Sequence, residues 1–137
     1  MAVTANSIIT PQTPLSRTAV ATAAEVAFSA PTTAQDLLLP ADNVSGARIS
    51  KLYAIPRAAT GAVINCQLYK KVGTTYTLLD SVLTANVTPS ATVANPKYDF
   101  GLSDDNPMVL FAGEGLAVAI GSAVANGVVF RCEGGLY

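Results

Sequence analysis

Residues 62–83 constrain the fold more than any other stretch of this chain. They read as two β-prone runs around a short turn containing Gly73. In the first run Ile64, Cys66 and Leu68 alternate with Asn65, Gln67 and Tyr69. In the second, Tyr76, Leu78 and Val82 share one side, with Asp80 as the exception. Side chains two apart on a strand point to the same face, so each run offers a face for burial. Two such runs joined by a short turn predict a β-hairpin. Its polar side (Asn65, Gln67, Lys70, Thr75, Thr77) is expected to meet water or a polar partner.

Shorter versions of this pattern fill the rest of the chain. Residues 48–55 carry Ile49, Leu52, Tyr53 and Ile55, and the alternation slips around Lys51 as a bulge would make it slip. Residues 97–100 and 108–112 predict short strands. In residues 116–120, Leu116, Val118 and Ile120 alternate with Ala117 and Ala119. In residues 128–133, Val128, Phe130 and Cys132 form an inner face opposite Arg131 and Glu133. Residues 84–96 read as an extended loop with a short strand, and residues 36–40 as a helical turn or short strand that Pro40 ends. Residues 19–30 are Ala-rich, which suits a helix. Val20, Thr22, Val26, Phe28 and the stop at Pro31 suit a strand, and the strand is preferred because the remainder reads β.

Short strands separated by Gly, Pro or Asn turns, with no long amphipathic helix, predict an all-β antiparallel sandwich. A jelly roll is the preferred topology. An immunoglobulin-like sandwich is the alternative, although Trp is absent and the two cysteines bracket none. The expected division is an extended N-terminal arm over residues 1–18 and one sandwich domain over residues 19–137. Pro11 and Pro14 fix φ and remove two backbone donors in that arm. Ile8, Ile9 and Leu15 are apolar residues that an isolated segment cannot bury, so they must pack on their own domain or reach a neighbour. Ile8, Ile9, Pro11, Pro14 and Leu15 are therefore the candidate partner-binding residues. A disordered terminus is the other reading of the same residues.

The composition narrows the functional classes. A chain of 137 residues fits one domain that can bury a core without metal or disulfide. Only 12% of its residues are charged and 50% are hydrophobic. So few charges keep surfaces apart poorly, which suggests that much of the surface meets another protein. A small Ala- and Val-rich extracellular or crystalline domain is the competing explanation. The net charge is −1 and Lys70-Lys71 is the one basic pair, which argues against nucleic acid as a partner. Gly, Pro, Asn and Asp interrupt every apolar stretch before the ~20 residues a spanning helix needs, so no membrane is expected. The first residues lack a basic start followed by an apolar core, so no secretory signal is expected and the cytosol is the expected site of synthesis and assembly. Cys66 and Cys132 have no metal-type spacing. They read as small buried hydrophobes, with a disulfide as the alternative.

The chain has no histidine. That removes the Ser-His-Asp triad, the Cys-His pair and the commonest zinc ligand together. Glu114, between Gly113 and Gly115, is the most suggestively placed acid, but no second acid is assigned to it. The same glycines run into a strand rather than a helix, so they do not make a phosphate loop. Asp99, Asp104, Asp105 and Asn106 supply oxygen atoms without the spacing of a calcium loop, and a solvated turn is preferred. Tyr53, Tyr69, Tyr76, Tyr98 and Tyr137 could stack on sugar rings, although tyrosine is ordinary in strands. The expectation is no catalytic residue, no cofactor and no metal.

Four segments together resemble a family of small bacteriophage virion proteins. They are Ala2-Val3-Thr4-Ala5-Asn6 ahead of Pro11 and Pro14, and Gly46-Ala47-Arg48-Ile49 followed by Leu52 and Pro56. The third is Leu68-Tyr69-Lys70 leading through Gly73 to Thr74-Thr75-Tyr76-Thr77-Leu78-Leu79. The last runs from Val128 through Glu133-Gly134-Gly135 to the aromatic Tyr137. The resemblance is to capsid decoration or cement proteins. It implies a β-rich structural protein of the virion, without catalysis, that self-assembles at symmetric positions on a shell. The expected partners are a major capsid protein or other virion proteins, and a homo-oligomer is expected, a trimer by preference. A receptor- or carbohydrate-binding domain of a tail or head fibre is the alternative.

Overall fold

A computed structural model describes residues 10–137. Among these residues nine strands form two antiparallel sheets, with one turn of 3-10 helix at Pro40–Asp42. The strands are β1 (Thr13–Ala21), β2 (Gln35–Leu38), β3 (Ala47–Pro56), β4 (Asn65–Val72), β5 (Thr75–Leu83), β6 (Tyr98–Asp99), β7 (Met108–Leu110), β8 (Glu114–Ile120) and β9 (Val128–Leu136). The first sheet runs β1-β9-β3-β6, and β7 also pairs with β3. The second runs β2-β8-β4-β5. The expected all-β antiparallel sandwich is the architecture observed.

Alternation explains the core. On the first sheet Ala19 of β1, Phe130 of β9 and Ala54 of β3 lie side by side, so a phenyl ring sits between two methyl groups. Cys132 and Leu52 follow on the same ladder, then Ile49 beside Gly134. Leu116, Val118 and Ile120 of β8 and Cys66 and Leu68 of β4 are buried from the second sheet, in one cluster with them. Burying a side chain of this class stabilises by roughly 1.5–3 kcal/mol, so this double layer dominates the fold's energetics.

Two irregularities shape the strands. The slip expected around Lys51 is present as a register shift between Ile49 and Lys51 of β3. A second shift lies in the hairpin, where Leu68 faces Asp80 but Tyr69 faces Leu78. Leu79 is the extra residue. This bulge puts Tyr76 and Leu78 on the outer face and Val82 on the inner one, so they do not share a side as expected. The hairpin loop is the two residues Gly73-Thr74, and Gly73 has φ +60°. A two-residue loop takes glycine there because positive φ matches the twist of the strands it joins.

Several expectations are corrected. Residues 13–18 are not an arm: β1 starts at Thr13 and pairs continuously with β9 through Ala21. Leu15 belongs there because it is buried in the domain's own core. Pro14 is tolerated because β1 is an edge strand, where a missing N–H breaks no second ladder. The strand expected over residues 19–30 stops at Ala21, and residues 22–34 form an irregular segment instead. The closing strand runs on through Gly134 and Gly135 to Leu136. Residues 84–96 hold no strand, only an isolated bridge between Ser90 and Val93. Gln67 does not meet water: it is fully buried.

Candidate functional site

The outer face of the second sheet holds a buried polar cluster. Gln67 and Tyr69 of β4 sit opposite Ala119 and Ala117 of β8, whose small side chains leave room above them. Tyr69, Ala117 and Ala119 form a second, smaller apolar cluster, with Ala34 and Tyr76 packed against it. The segment 22–34 closes over Gln67. The Glu25 N–H donates to the Ile120 carbonyl at 2.7 Å, and Gln67 Nε2 donates to the Glu25 carbonyl at 3.1 Å. The Tyr69 hydroxyl donates in turn to Gln67 Oε1.

Glu25 is the keystone of that segment and only 3% exposed. Its carboxylate accepts the N–H of Thr32 at 2.6 Å, the N–H of Thr33 at 2.8 Å, the Thr33 hydroxyl at 3.0 Å and the N–H of Ala27 at 3.2 Å. Burial works to raise its pKa, but the hydrogen bonds from Thr33, Ala27 and Thr32 outweigh it and hold the carboxyl below the ordinary 4.5. Burial and the Glu25 charge both push the Tyr69 hydroxyl pKa upward. The chemistry of this cluster is structural, because the carboxylate's acceptor sites are filled by its own loop. Sequence reasoning left Glu25 without a role, although it is the one charge in an Ala-rich stretch.

A polar groove of about 500 Å3 opens on the first sheet. Pro11, Pro14 and Leu15 line one wall, and Arg48, Ser50, Asp104 and Glu133 contribute the polar groups. Three of the five candidate partner-binding residues therefore come together, although the Leu15 side chain is committed to the core. Ile8 and Ile9 lie outside the described residues. The Arg48 guanidinium donates to the Asp104 carbonyl at 2.6 Å and ties the loop of residues 101–107 to β3. Glu133 pairs with Arg131 at 2.7 Å.

The remaining candidates resolve as structure. Glu114 pairs with Lys70 at 2.9 Å and accepts the Phe111 N–H at 2.8 Å; these two bonds, the lysine first, lower its pKa. Asp99 accepts the Gly101 N–H at 2.7 Å, and the Asn106 amide donates to the Gly101 carbonyl at 3.2 Å, so the acidic stretch folds as a turn. Among the described residues no three His, Cys, Asp or Glu side chains gather as a cation site. Cys66 and Cys132 are both free and buried. Burial pushes their thiols up to about 12 and about 11. No helix among the described residues is long and apolar enough to cross a membrane.

Comparison of the chain with protein-family models, with curated proteins and with solved structures finds no match.

Proposed function

We propose that this chain is a non-catalytic structural protein of a bacteriophage virion, which decorates or cements the capsid through protein–protein contacts. The observation that carries this reading is an apolar end of the sandwich. Asn43 ties two loops together there, donating from Nδ2 to the carbonyls of Phe111 and Glu114, each at 2.8 Å. Beside this tie Val44 is 78% and Phe111 76% exposed. The charges nearest in sequence are already in ion pairs, Asp42 with Arg17 and Glu114 with Lys70. Exposed apolar groups among neutralised charges suit a protein surface and give nucleic acid little to hold. The strand order supports the reading too. We take β1-β9-β3-β6 over β2-β8-β4-β5 as jelly-roll connectivity, with β6 and β7 sharing one position beside β3. That architecture recurs in viral capsid and lectin domains, so it is compatible with the function without establishing it.

Purified chain should co-sediment with phage heads that lack it and saturate at a fixed ratio to the capsid subunit. Phe111→Asp and Val44→Asp together should abolish binding without shifting the melting temperature. Removing residues 1–10 tests the arm without cutting β1 and should weaken binding. Undiminished binding by the double variant would sink the reading. The groove favours a second reading, a carbohydrate- or receptor-binding fibre domain that uses Arg48, Asp104 and Glu133. Binding on a glycan array, lost in Arg48→Ala, would select it.

A further inference from the structure

A free sheet edge is a row of backbone N–H and C=O groups, and it selects one kind of occupant, another extended strand. Three of the four edge positions among the described residues are poor hosts. β1 carries Pro14 and Arg17. β2 has four residues and includes Asp36, which is paired with Lys71 at 2.9 Å. At the remaining edge of the first sheet, β6 has two residues and β7 three. The outer edge of β5 differs. The strand has nine residues, no Lys, Arg or Pro, and Asp80 as its one charge. Leu78 and Leu79 are each 40% exposed on it. Among the described residues nothing pairs with this edge.

The two halves of β5 are not equivalent. The bulge at Leu79 interrupts the register, and the Asp80 carboxylate accepts the Ser81 N–H at 2.8 Å, so the second half already uses one of its own donors. The first half, residues 75–78, keeps unbroken register with β4 and carries no charge. It is also complementary to itself. An antiparallel copy centred on Thr77 sets Thr77 against Thr77 and Tyr76 of each copy against Leu78 of the other. Threonine pairs and aromatic–aliphatic pairs are both favourable across strands. Tyr76 and Leu78 lie on the outer face beside Tyr69, whose ring meets Tyr76 edge-on at 6.2 Å. The exposed leucine would thus complete an apolar stripe. In the same register each Asp80 falls opposite Thr74, so the two carboxylates stay apart.

We infer that β5 pairs antiparallel with β5 of a second copy about a two-fold axis at Thr77, which joins the two four-stranded sheets into one of eight strands. A contact of this kind is isologous and closes on itself. It makes the solution species a dimer, in place of the expected trimer, and it does not depend on the capsid reading.

The test is the mass of the full chain by light scattering on a sizing column. The wild type should run as a dimer. Thr77→Lys and Thr77→Glu should each run as monomers, because like charges then face each other across the axis, with melting curves that still show one folded transition. An equimolar mixture of the two variants should recover the dimer. A wild-type monomer, a trimer, a variant that keeps the dimer mass, or a mixture that stays monomeric would overturn the inference. Because purified protein alone is measured, failure here leaves the co-sedimentation result intact, and the reverse also holds.

Discussion

Glu25 shows how one side chain can decide the conformation of a loop. A buried carboxylate is costly unless hydrogen bonds replace its lost water, and here four donors from residues 27–33 do so. The Glu25→Gln side chain keeps the shape but removes the charge and points an NH2 group at donors. Removing an acceptor from buried partners costs about 1–3 kcal/mol, and that loss is expected at neutral pH in urea denaturation. The acid dependence follows from the lowered pKa. In the unfolded chain Glu25 takes up its proton near 4.5, whereas in the fold it does so only at lower pH. Its contribution is therefore complete above the unfolded value and is lost as pH falls through the folded one. The stability gap between wild type and Glu25→Gln should narrow over that window. Tyr69 is the other titratable group facing this cluster, and Lys71 and Asp36 pair with each other further along the same face. A gap that stays constant down to strongly acid pH would show that the Glu25 carboxylate does not stabilise the loop.

At the scale of elements, the glycines separate into those that set a turn and those that make room. Gly73 occupies a positive-φ loop position with nothing within 4 Å of an added Cβ, so Gly73→Ala should cost only the left-handed backbone term, about 1–2 kcal/mol. A Cβ on Gly134 would collide with the Arg48 carbonyl at the β3 bulge, where backbone rather than a movable side chain stands in the way. Gly134→Ala should therefore destabilise more than Gly73→Ala in parallel denaturation curves. Equal costs would mean that β3 and β9 can separate without strain. These cases also show what the residue pattern could reveal. Alternation located the hairpin, β8 and β9, and the slip at Lys51 marked a bulge, because each is a local periodicity. The bulge at Leu79 stayed hidden, since it surfaced only as the misfit of Asp80 on a supposed inner face. The segment over Gln67 left no periodic trace, because its order comes from one carboxylate reaching seven and eight residues ahead. Leu15 was legible as apolar and in need of burial, but a lone leucine just after two prolines does not say which protein buries it.

For the molecule as a whole, the decisive feature is that both sheets feed one core, and the two thiols report on it from opposite sides. Cys66 is on β4 of the second sheet and Cys132 on β9 of the first, and both are buried in the same cluster. Reactivity needs an exposed thiolate, and burial denies both the exposure and the charge. Neither thiol should react with an aromatic disulfide reagent at neutral pH in the native state. Once the sandwich opens, both lose their shield together if the core is one cooperative unit. Two equivalents should then be released in a single kinetic phase, at the rate of global unfolding and independent of reagent concentration at high reagent. The alkaline limb carries the same information. In the unfolded chain these thiols ionise near 9, whereas in the fold they hold their protons to about 11 and about 12. Raised folded values mean stability that is complete below the unfolded pKa and lost as pH rises from there towards the folded ones. Cys66→Ala and Cys132→Ala should each flatten that alkaline decline. Release of one thiol well before the other would instead mean that one sheet can peel away, and the sandwich would then be two weakly coupled layers.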